Sequence, residues 1–273
     1  VFLMVKIVEV ISFIGQSDFS NTFMSYLMCP ALPAKIIQQP WSLFTYMFLH
    51  QGFLHILFNL LWLYWIGIIF IDFLNGKRFV AVYIFGGLSG AALYILAYNV
   101  IPIFDPEYSL MLGASASVMA IVLAITMYVP DYTLYLMFIG PVKLKWIALV
   151  SVILDIIMLT DGNPGGHIAH LGGALFGIYW GYRLKNGKDI TKWSYFLYDK
   201  TTSLFKPRAK VKVHYSNFQT TGSTQYSYNS SPKQNTGIDQ KEIDAILDKI
   251  SKSGYENLTA AEKEKLFNAS KKK

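Results

Sequence analysis

The chain has 273 residues, of which 53% are hydrophobic and only 15% are charged, and its formal net charge is +7. Such a composition is too apolar for an ordinary water-soluble domain of this length, and it indicates several membrane-crossing segments. Cys29 is the single cysteine, which excludes an internal disulfide. The sequence also has no CxxC or HExxH string, which argues against thiol redox or zinc-peptidase chemistry.

Six apolar segments follow one another along the chain, and each is expected to form a membrane helix. As a helix, the first segment would be about 21 Å long, less than the roughly 30 Å hydrocarbon core, so we expect its native beginning to be missing. The segments are residues 1–14, 52–71, 79–101, 115–129, 146–160 and 166–184.

The distribution of positive charge predicts how these segments are oriented. Lys77 and Arg78 follow the second segment, Lys143 and Lys145 precede the fifth, and a basic tail follows the sixth. The positive-inside rule therefore places both termini in the cytoplasm of a multi-pass protein of the cell membrane. Segments two, four and six then run inwards, so their first residues are expected near the outer face.

The fourth segment is too short to span the bilayer. From Ser115 to the stop at Pro130 a helix would be about 22 Å long. We therefore expect Ser115 to lie below the outer surface, with residues 110–113 entering the membrane as irregular backbone. Such backbone is tolerated only beside protein or water, which predicts a hydrated cavity that opens outwards.

Small residues recur at four-residue spacing on segments four and six, and such ridges let two helices approach closely. Docking these ridges would bring the hydroxyl of Ser115 and the imidazole of His170 together. The two ridges are Ala116, Ala120 and Ala124 on segment four, and Gly173, Gly177 and Gly181 on segment six.

A serine hydroxyl becomes a good nucleophile when a neutral imidazole takes its proton. We therefore predict Ser115 as the nucleophile and His170 as the base. His55 and Asn59 lie four residues apart on one helical face and are predicted to stabilise an oxyanion, with the backbone N–H of Ser115 as a third donor.

These motifs resemble those of the rhomboid intramembrane serine proteases over about residues 41–181. The resemblance implies an all-α bundle of six transmembrane helices and a Ser–His dyad without an acid, with His55 and Asn59 in the oxyanion hole. The matching strings contain His50, His55 and Asn59, then Gly113-Ala114-Ser115, then His170, Gly173 and Gly177. The chain departs from the family pattern at Ser42, Ala116 and Met119, where arginine, glycine and an aromatic residue are frequent.

Several alternatives within the chain stay open. Ser89 in a GLSG string is expected to be a packing residue, and Ser117 is expected to point to another face of its helix. His167 competes with His170 for the role of base. Asp155 is an intramembrane carboxylate that could complete a triad, although we favour a carboxylate bonded to backbone or water.

Four histidines near the outer face could in principle bind zinc. No carboxylate or cysteine completes a familiar ligand spacing, so we predict neither a metal nor another cofactor.

The end of the chain is predicted to consist of two further parts. Residues 185–237 are expected to be a basic, flexible linker that contacts anionic lipid and no nucleic acid. Residues 238–273 are expected to form a small helical hairpin with a capping box from Thr259 to Glu262. This hairpin either stabilises the tail or, as we favour, binds a cytoplasmic partner. The membrane core is then residues 1–184.

The function that these patterns favour is that of an intramembrane serine endopeptidase. It would cleave membrane proteins within or next to a transmembrane segment. The alternative is a non-catalytic rhomboid-like protein that binds or sorts membrane clients. The joint presence of Ser115, His170, His55 and Asn59 favours the enzyme.

Overall fold

The computed structural model describes residues 1–136, 139–160, 162–205 and 240–270. The chain divides into two compact units, residues 1–209 and 210–273, and most of the described residues are helical. The first unit has helices α1 (Phe2–Ile14), α2 (Phe19–Leu27), α3 (Pro33–Gln38), α4 (Ser42–Thr45), α5 (Phe53–Leu74), α6 (Gly76–Val100), α7 (Ser115–Tyr128), α8 (Leu144–Ile157), α9 (Pro164–Lys185) and α10 (Tyr195–Phe205). Its strands are β1 (Cys29–Pro30), β2 (Leu110–Met111), β3 (Thr133–Leu136) and β4 (Gly140–Lys143).

Helices occur at all six positions where the sequence predicts apolar segments, with ends that differ by a few residues. Helix α5 with 22 residues and helix α6 with 25 are each long and apolar enough to cross a bilayer, with a mean hydropathy of 2.0. A helix that is apolar on all sides must be buried in protein or in lipid. Helix α7 is also apolar, but it has only 14 residues.

Helix α7 lies at the centre of the first unit. It packs against α5, α6, α8 and α9, and ten of its 14 residues are buried. Its aliphatic side chains share a core with Phe70 of α5 and Trp180 of α9, whose rings stack at 5.9 Å. The residue that begins this central helix, Ser115, is therefore held by protein on several sides.

The two small-residue ridges meet, as the sequence predicts. A methyl group on a ridge glycine of α9 would run into the backbone of α7, because the helices leave no room for a side chain between them. In order along the helices, Gly173 faces the carbonyl of Ala116, Gly177 that of Ala120 and Gly181 that of Ala124.

Two small antiparallel sheets correct the prediction of an all-α fold. Strand β1 pairs with β2, so that Cys29 lies opposite Met111, and β3 pairs with β4 in a hairpin between α7 and α8. The β1–β2 pair joins residues far apart in sequence and is only two residues long, so no alternating pattern marks it. It anchors the irregular backbone that leads into Ser115.

The segment expected to be a linker from residue 185 begins with ordered structure instead. A short helical turn, Lys192–Ser194, leads into α10. Arg78 of α6 donates to Asp189 at 2.9 Å, and the Tyr195 hydroxyl donates to the same carboxylate oxygen. Burial raises the pKa of Asp189, but hydrogen bonds from Tyr195, Arg78 and Thr191 outweigh this and hold the pKa below its usual value. Residues 206–237 of the expected linker lie outside the described residues.

The second unit contains helices α11 (Gln240–Ser253) and α12 (Ala260–Ser270), which pack against each other. Ile246 and Leu258 are buried in this unit. The predicted capping box is present, because the backbone N–H of Thr259 donates to Glu262 at 2.8 Å and the N–H of Glu262 donates back to the Thr259 hydroxyl. Hydrogen bonds from Lys249 and then from Thr259 lower the pKa of Glu262 to about 2.

Replacing Gly177 by alanine is expected to push α7 and α9 apart, because the added methyl group would overlap the carbonyl of Ala120. Overpacking of this kind typically costs about 1–3 kcal/mol of stability. Thermal unfolding of the purified protein in detergent should show a lower Tm. Gly162→Ala is the matched control, because nothing lies within 4 Å of a methyl group there. Equal Tm values for the two variants would contradict the close packing.

Candidate active site

Ser115 is the first residue of α7, and a glycine sets its position. Gly113 has a φ of +127°, a backbone conformation that side-chain-bearing residues rarely adopt. Its N–H donates to the carbonyl of Tyr46 at 2.9 Å. The chain therefore turns sharply out of β2 and presents the Ser115 hydroxyl to the neighbouring helix α9.

His170 lies on α9, nearly two turns from the start of that helix. Asn163 caps the helix, because its side chain accepts a hydrogen bond from the N–H of Gly166 at 3.1 Å, and Pro164 occupies the first turn. The Nε2 atom of His170 is 2.6 Å from the Oγ atom of Ser115, well within hydrogen-bond distance. The structure thus brings the predicted nucleophile and the predicted base into direct contact.

Asp155 of α8 lies on the other side of the same imidazole. Its Oδ1 atom is 2.7 Å from Nδ1 of His170 and 2.8 Å from Nδ1 of His167. The preference for a carboxylate bonded to backbone or water was therefore wrong. A ring whose Nδ1–H donates to a carboxylate has its lone pair on Nε2, where it can accept the proton of a serine hydroxyl.

His55 approaches Ser115 from α5. A methyl group built on Gly113 would lie 3.0 Å from Nε2 of His55 and 3.5 Å from Oγ of Ser115, so both groups flank the same point. Asn59 lies one turn further along α5, where its side-chain amide donates to the carbonyl of His55 at 2.8 Å. One of the two amide hydrogens remains for another acceptor.

His50 supports the His55 ring and does not reach the nucleophile. The two rings meet edge to face with centroids 5.0 Å apart. Burial, followed by the influence of His55, lowers the pKa of His50 to about 4. His50 is therefore neutral near pH 7, which suits a packed structural histidine.

A cavity of about 570 Å³ opens beside these groups. Its walls combine a polar end with a larger apolar surface. The polar side chains in its lining include His55, Asn59, Ser115, Asp155 and His170, and the apolar ones include Leu54, Phe58, Trp62, Met119, Val122 and Leu154.

Ser89 and Ser117, the alternatives to Ser115 as nucleophile, both lie in contacts between packed helices. The Ser89 hydroxyl donates to the carbonyl of Gly172 at 2.9 Å and so joins α6 to α9. Ser117 is fully buried in the core, and a methyl group on Gly87 would lie 2.6 Å from its hydroxyl. As for the histidines, it is His170 that bonds to Ser115, whereas His167 bonds to Asp155.

Asp155, His167 and His170 also form a group that could hold a metal ion, because their donor atoms lie within 4.8 Å of one another. The prediction that the chain binds no metal rested on the lack of a carboxylate at a familiar spacing from the histidines. The packing of α8 against α9 brings the carboxylate of Asp155 next to two of them. Two imidazoles and a carboxylate are ligands that Zn²⁺ accepts.

Comparison with known proteins identifies the scaffold. Residues 37–186, more than half of the chain, match the family model described as the rhomboid domain. The chain belongs to the rhomboid family. The match includes the central helix α7 and the residues around Ser115. Residues 227–272 match a second model, described as a family of unknown function, DUF6576.

Curated relatives share the rhomboid portion. RHOMBOID-like protein 12, mitochondrial, of Arabidopsis thaliana is 29% identical over 54% of this chain and 47% of its own length. Presenilin-associated rhomboid-like protein, mitochondrial, of Rattus norvegicus is 31% identical over 58% of this chain and 43% of its own. Rhomboid-related protein 1 of Caenorhabditis elegans is 28% identical over 54% and 41%. The chain therefore spans less than half the length of these relatives.

Replacing Gly113 by alanine is expected to lower the reactivity of Ser115, because the new methyl group would press on His55 next to the hydroxyl. The rate of covalent labelling by a fluorophosphonate should fall at least tenfold. Gly140→Ala is the matched control, since Gly140 also has a positive φ, of +89°, but open space around it. Both variants carry backbone strain of about 1 kcal/mol. If Gly113→Ala and Gly140→Ala lose labelling equally, backbone strain explains the loss and the contact with His55 does not.

Proposed function

We propose that this rhomboid-family protein is an intramembrane serine endopeptidase that cleaves membrane-protein substrates within or next to a transmembrane segment. The observation that carries the proposal is the distance of 2.6 Å between Ser115 Oγ and His170 Nε2. The two groups lie at the edge of a cavity large enough for part of a peptide. A contact of this kind is the structural signature of a serine nucleophile with its base.

The proposal includes six membrane helices, α1 and α5 to α9, in the cell membrane. Both termini are cytoplasmic, and the cavity opens to the outer face. The positive charges that follow α5 and α9 support this orientation. The basic stretch after α9 would contact anionic lipid on the cytoplasmic side.

The reaction begins with proton transfer within the dyad. As the Ser115 oxygen attacks the carbonyl carbon of the substrate peptide bond, its proton moves to Nε2 of His170. The carbonyl π electrons move to the oxygen and create an oxyanion. The ring of His55, the free amide hydrogen of Asn59 and the backbone N–H of Ser115 stabilise this negative charge.

The tetrahedral intermediate then collapses. His170 gives its proton to the peptide nitrogen, the C–N bond breaks, and the new amine leaves while the acyl group stays on Ser115. Water next donates a proton to His170 and attacks the acyl carbon. Collapse of the second intermediate returns the proton to Ser115 and releases the carboxylic acid. The His170 side chain is 22% exposed and lines the cavity, which leaves room beside the base for the attacking water.

We assign a separate role to each part of the chain. The membrane helices and the ordered stretch that follows α9 would form the protease core, and residues 238–273 would form an interaction module for a cytoplasmic partner. Two observations support a separate module, the independent compact unit after residue 209 and the match of residues 227–272 to a second family.

Ser115→Ala and His170→Ala should each lower cleavage of a model transmembrane substrate by at least about 10³-fold, because either change removes a member of the dyad. Cleavage is followed on gels with detergent-purified protein. Labelling by a fluorophosphonate should disappear in Ser115→Ala. Ser89→Ala, which removes a hydroxyl of the same kind in the packed core, should keep its activity.

Two results would contradict this assignment in different ways. Cleavage that survives in both dyad variants would mean that the reactive groups lie elsewhere. A wild-type protein that binds transmembrane substrates, resists the fluorophosphonate and cleaves nothing would be a non-catalytic client-binding protein.

His55→Ala and Asn59→Ala should each lower kcat by about 10²- to 10³-fold with little change in KM, because an oxyanion donor acts mainly in the transition state. Steady-state cleavage in proteoliposomes measures both constants. Leu60→Ala, an exposed position on the same helix, serves as the control. A rise in KM at constant kcat would instead assign His55 and Asn59 to substrate binding.

A further inference from the structure

We infer that Asp155 positions His170 for catalysis through a carboxylate that it shares with His167, so that the site works as Asp–His–Ser instead of as a dyad without an acid. The inference rests on the proposed protease function and extends it to a residue on a third helix. Asp155 is a positioning residue here, because it acts through His170.

The three side chains form a continuous chain of hydrogen bonds. Asp155 Oδ1 is 2.7 Å from Nδ1 of His170, and Nε2 of the same ring is 2.6 Å from Ser115 Oγ. The two nitrogens of an imidazole lie on opposite sides of the ring, so a bond at each end fixes its orientation. A carboxylate at Nδ1 also selects the tautomer whose Nε2 accepts the serine proton.

The burial of Asp155 argues against an incidental contact. Only 8% of its side chain is exposed, and a buried carboxylate is costly unless it is hydrogen-bonded or paired. Among the described residues, Oδ2 has no hydrogen-bond partner, whereas Oδ1 has both imidazoles. The interaction that compensates for burying this charge is therefore the one with the two histidines.

The contact between Asp155 and His170 also stabilises the charge that develops on His170 during the reaction. His170 becomes positively charged when it takes the Ser115 proton. A carboxylate 2.7 Å from its Nδ1 stabilises that imidazolium at a largely buried site, where electrostatic interactions are stronger than in bulk water. The loss of Asp155 should therefore slow the chemical step and leave substrate binding intact.

His167 holds the carboxylate in place. It precedes His170 by one turn of α9, and the two rings meet edge to face with centroids 5.7 Å apart. Its Nδ1 bonds to the same carboxylate oxygen at 2.8 Å, while the bond to Ser115 belongs to His170. His167 therefore acts on catalysis only through Asp155, and its removal should have a smaller effect.

The test compares steady-state cleavage by the full-length wild-type protein and its variants in proteoliposomes. Asp155→Asn should lower kcat by about 10²- to 10⁴-fold at nearly constant KM and keep a wild-type Tm. His167→Ala should lower kcat about tenfold, and His167→Asn, which retains an N–H donor, should recover part of that loss. Asp72→Asn, an exposed carboxylate on α5, should have no effect.

Two further measurements distinguish a positioning role for Asp155 from a metal-binding role. In a Ser115→Ala background, Asp155→Asn should add no further loss, because residues that act as a unit are not additive. Incubation with EDTA should leave cleavage unchanged. Loss of activity with EDTA that Zn²⁺ restores would make these three side chains metal ligands and overturn the inference. A folded Asp155→Asn variant with a kcat within threefold of wild type would also overturn it.

A measurement that needs no catalysis tests the role of Asp155 separately from the proposed protease function. In the Ser115→Ala protein, ¹⁵N NMR of histidine should show His170 protonated at Nδ1, and Asp155→Asn should change that tautomer signal. If the wild type cleaves nothing but the signal responds, the protease proposal fails while the Asp155–His170 interaction stands. An unchanged signal would overturn the inference even in an active protein.

Discussion

The close approach of α7 and α9 is the constraint on which the rest of the site depends. Gly173 and Gly177 leave no space between their backbone and the carbonyls of Ala116 and Ala120. Because both helices are rigid, this contact also sets the distance between the residues beside it. Ser115 begins α7 next to Ala116, and His170 precedes Gly173 by one turn of α9, so their hydrogen bond of 2.6 Å follows from the adjacent packing. Small residues thus determine where these two side chains meet.

A second feature of the site is that its polar side chains contact one another in largely apolar surroundings. Asp155 is almost fully buried and accepts from two imidazoles. The His50 ring packs on that of His55, and the amide of Asn59 bonds within its own helix. Within the part of the chain that the structure describes, both nitrogens of His50 and Oδ2 of Asp155 have no hydrogen-bond partner, so these contacts satisfy only part of the buried polar atoms.

The departures from the rhomboid pattern are accommodated locally. Ala116, in place of a glycine, still fits against α6 and α9, where Gly90 and Gly173 leave space for it. Met119 lines the cavity in place of an aromatic residue. Ser42 is buried where the family often has arginine, and its neighbour Trp41 holds the segment by donating to the carbonyl of Tyr26 at 2.9 Å. The chain therefore differs from the family pattern at these packing positions, while Ser115, His170, His55 and Asn59 match it.

Local patterns in the sequence determined the helix positions, the two small-residue ridges and the capping box at Thr259, because periodicity and capping act between residues a few positions apart. The pairing of Ser115 with His170 could also be predicted, since the ridges specify which helix faces meet. The contact between Asp155 and the two histidines could not, nor could the β1–β2 pair or helix α10. These depend on how α8 rotates and tilts against α9, and on backbone pairing between distant segments, which only the packing of the whole unit decides.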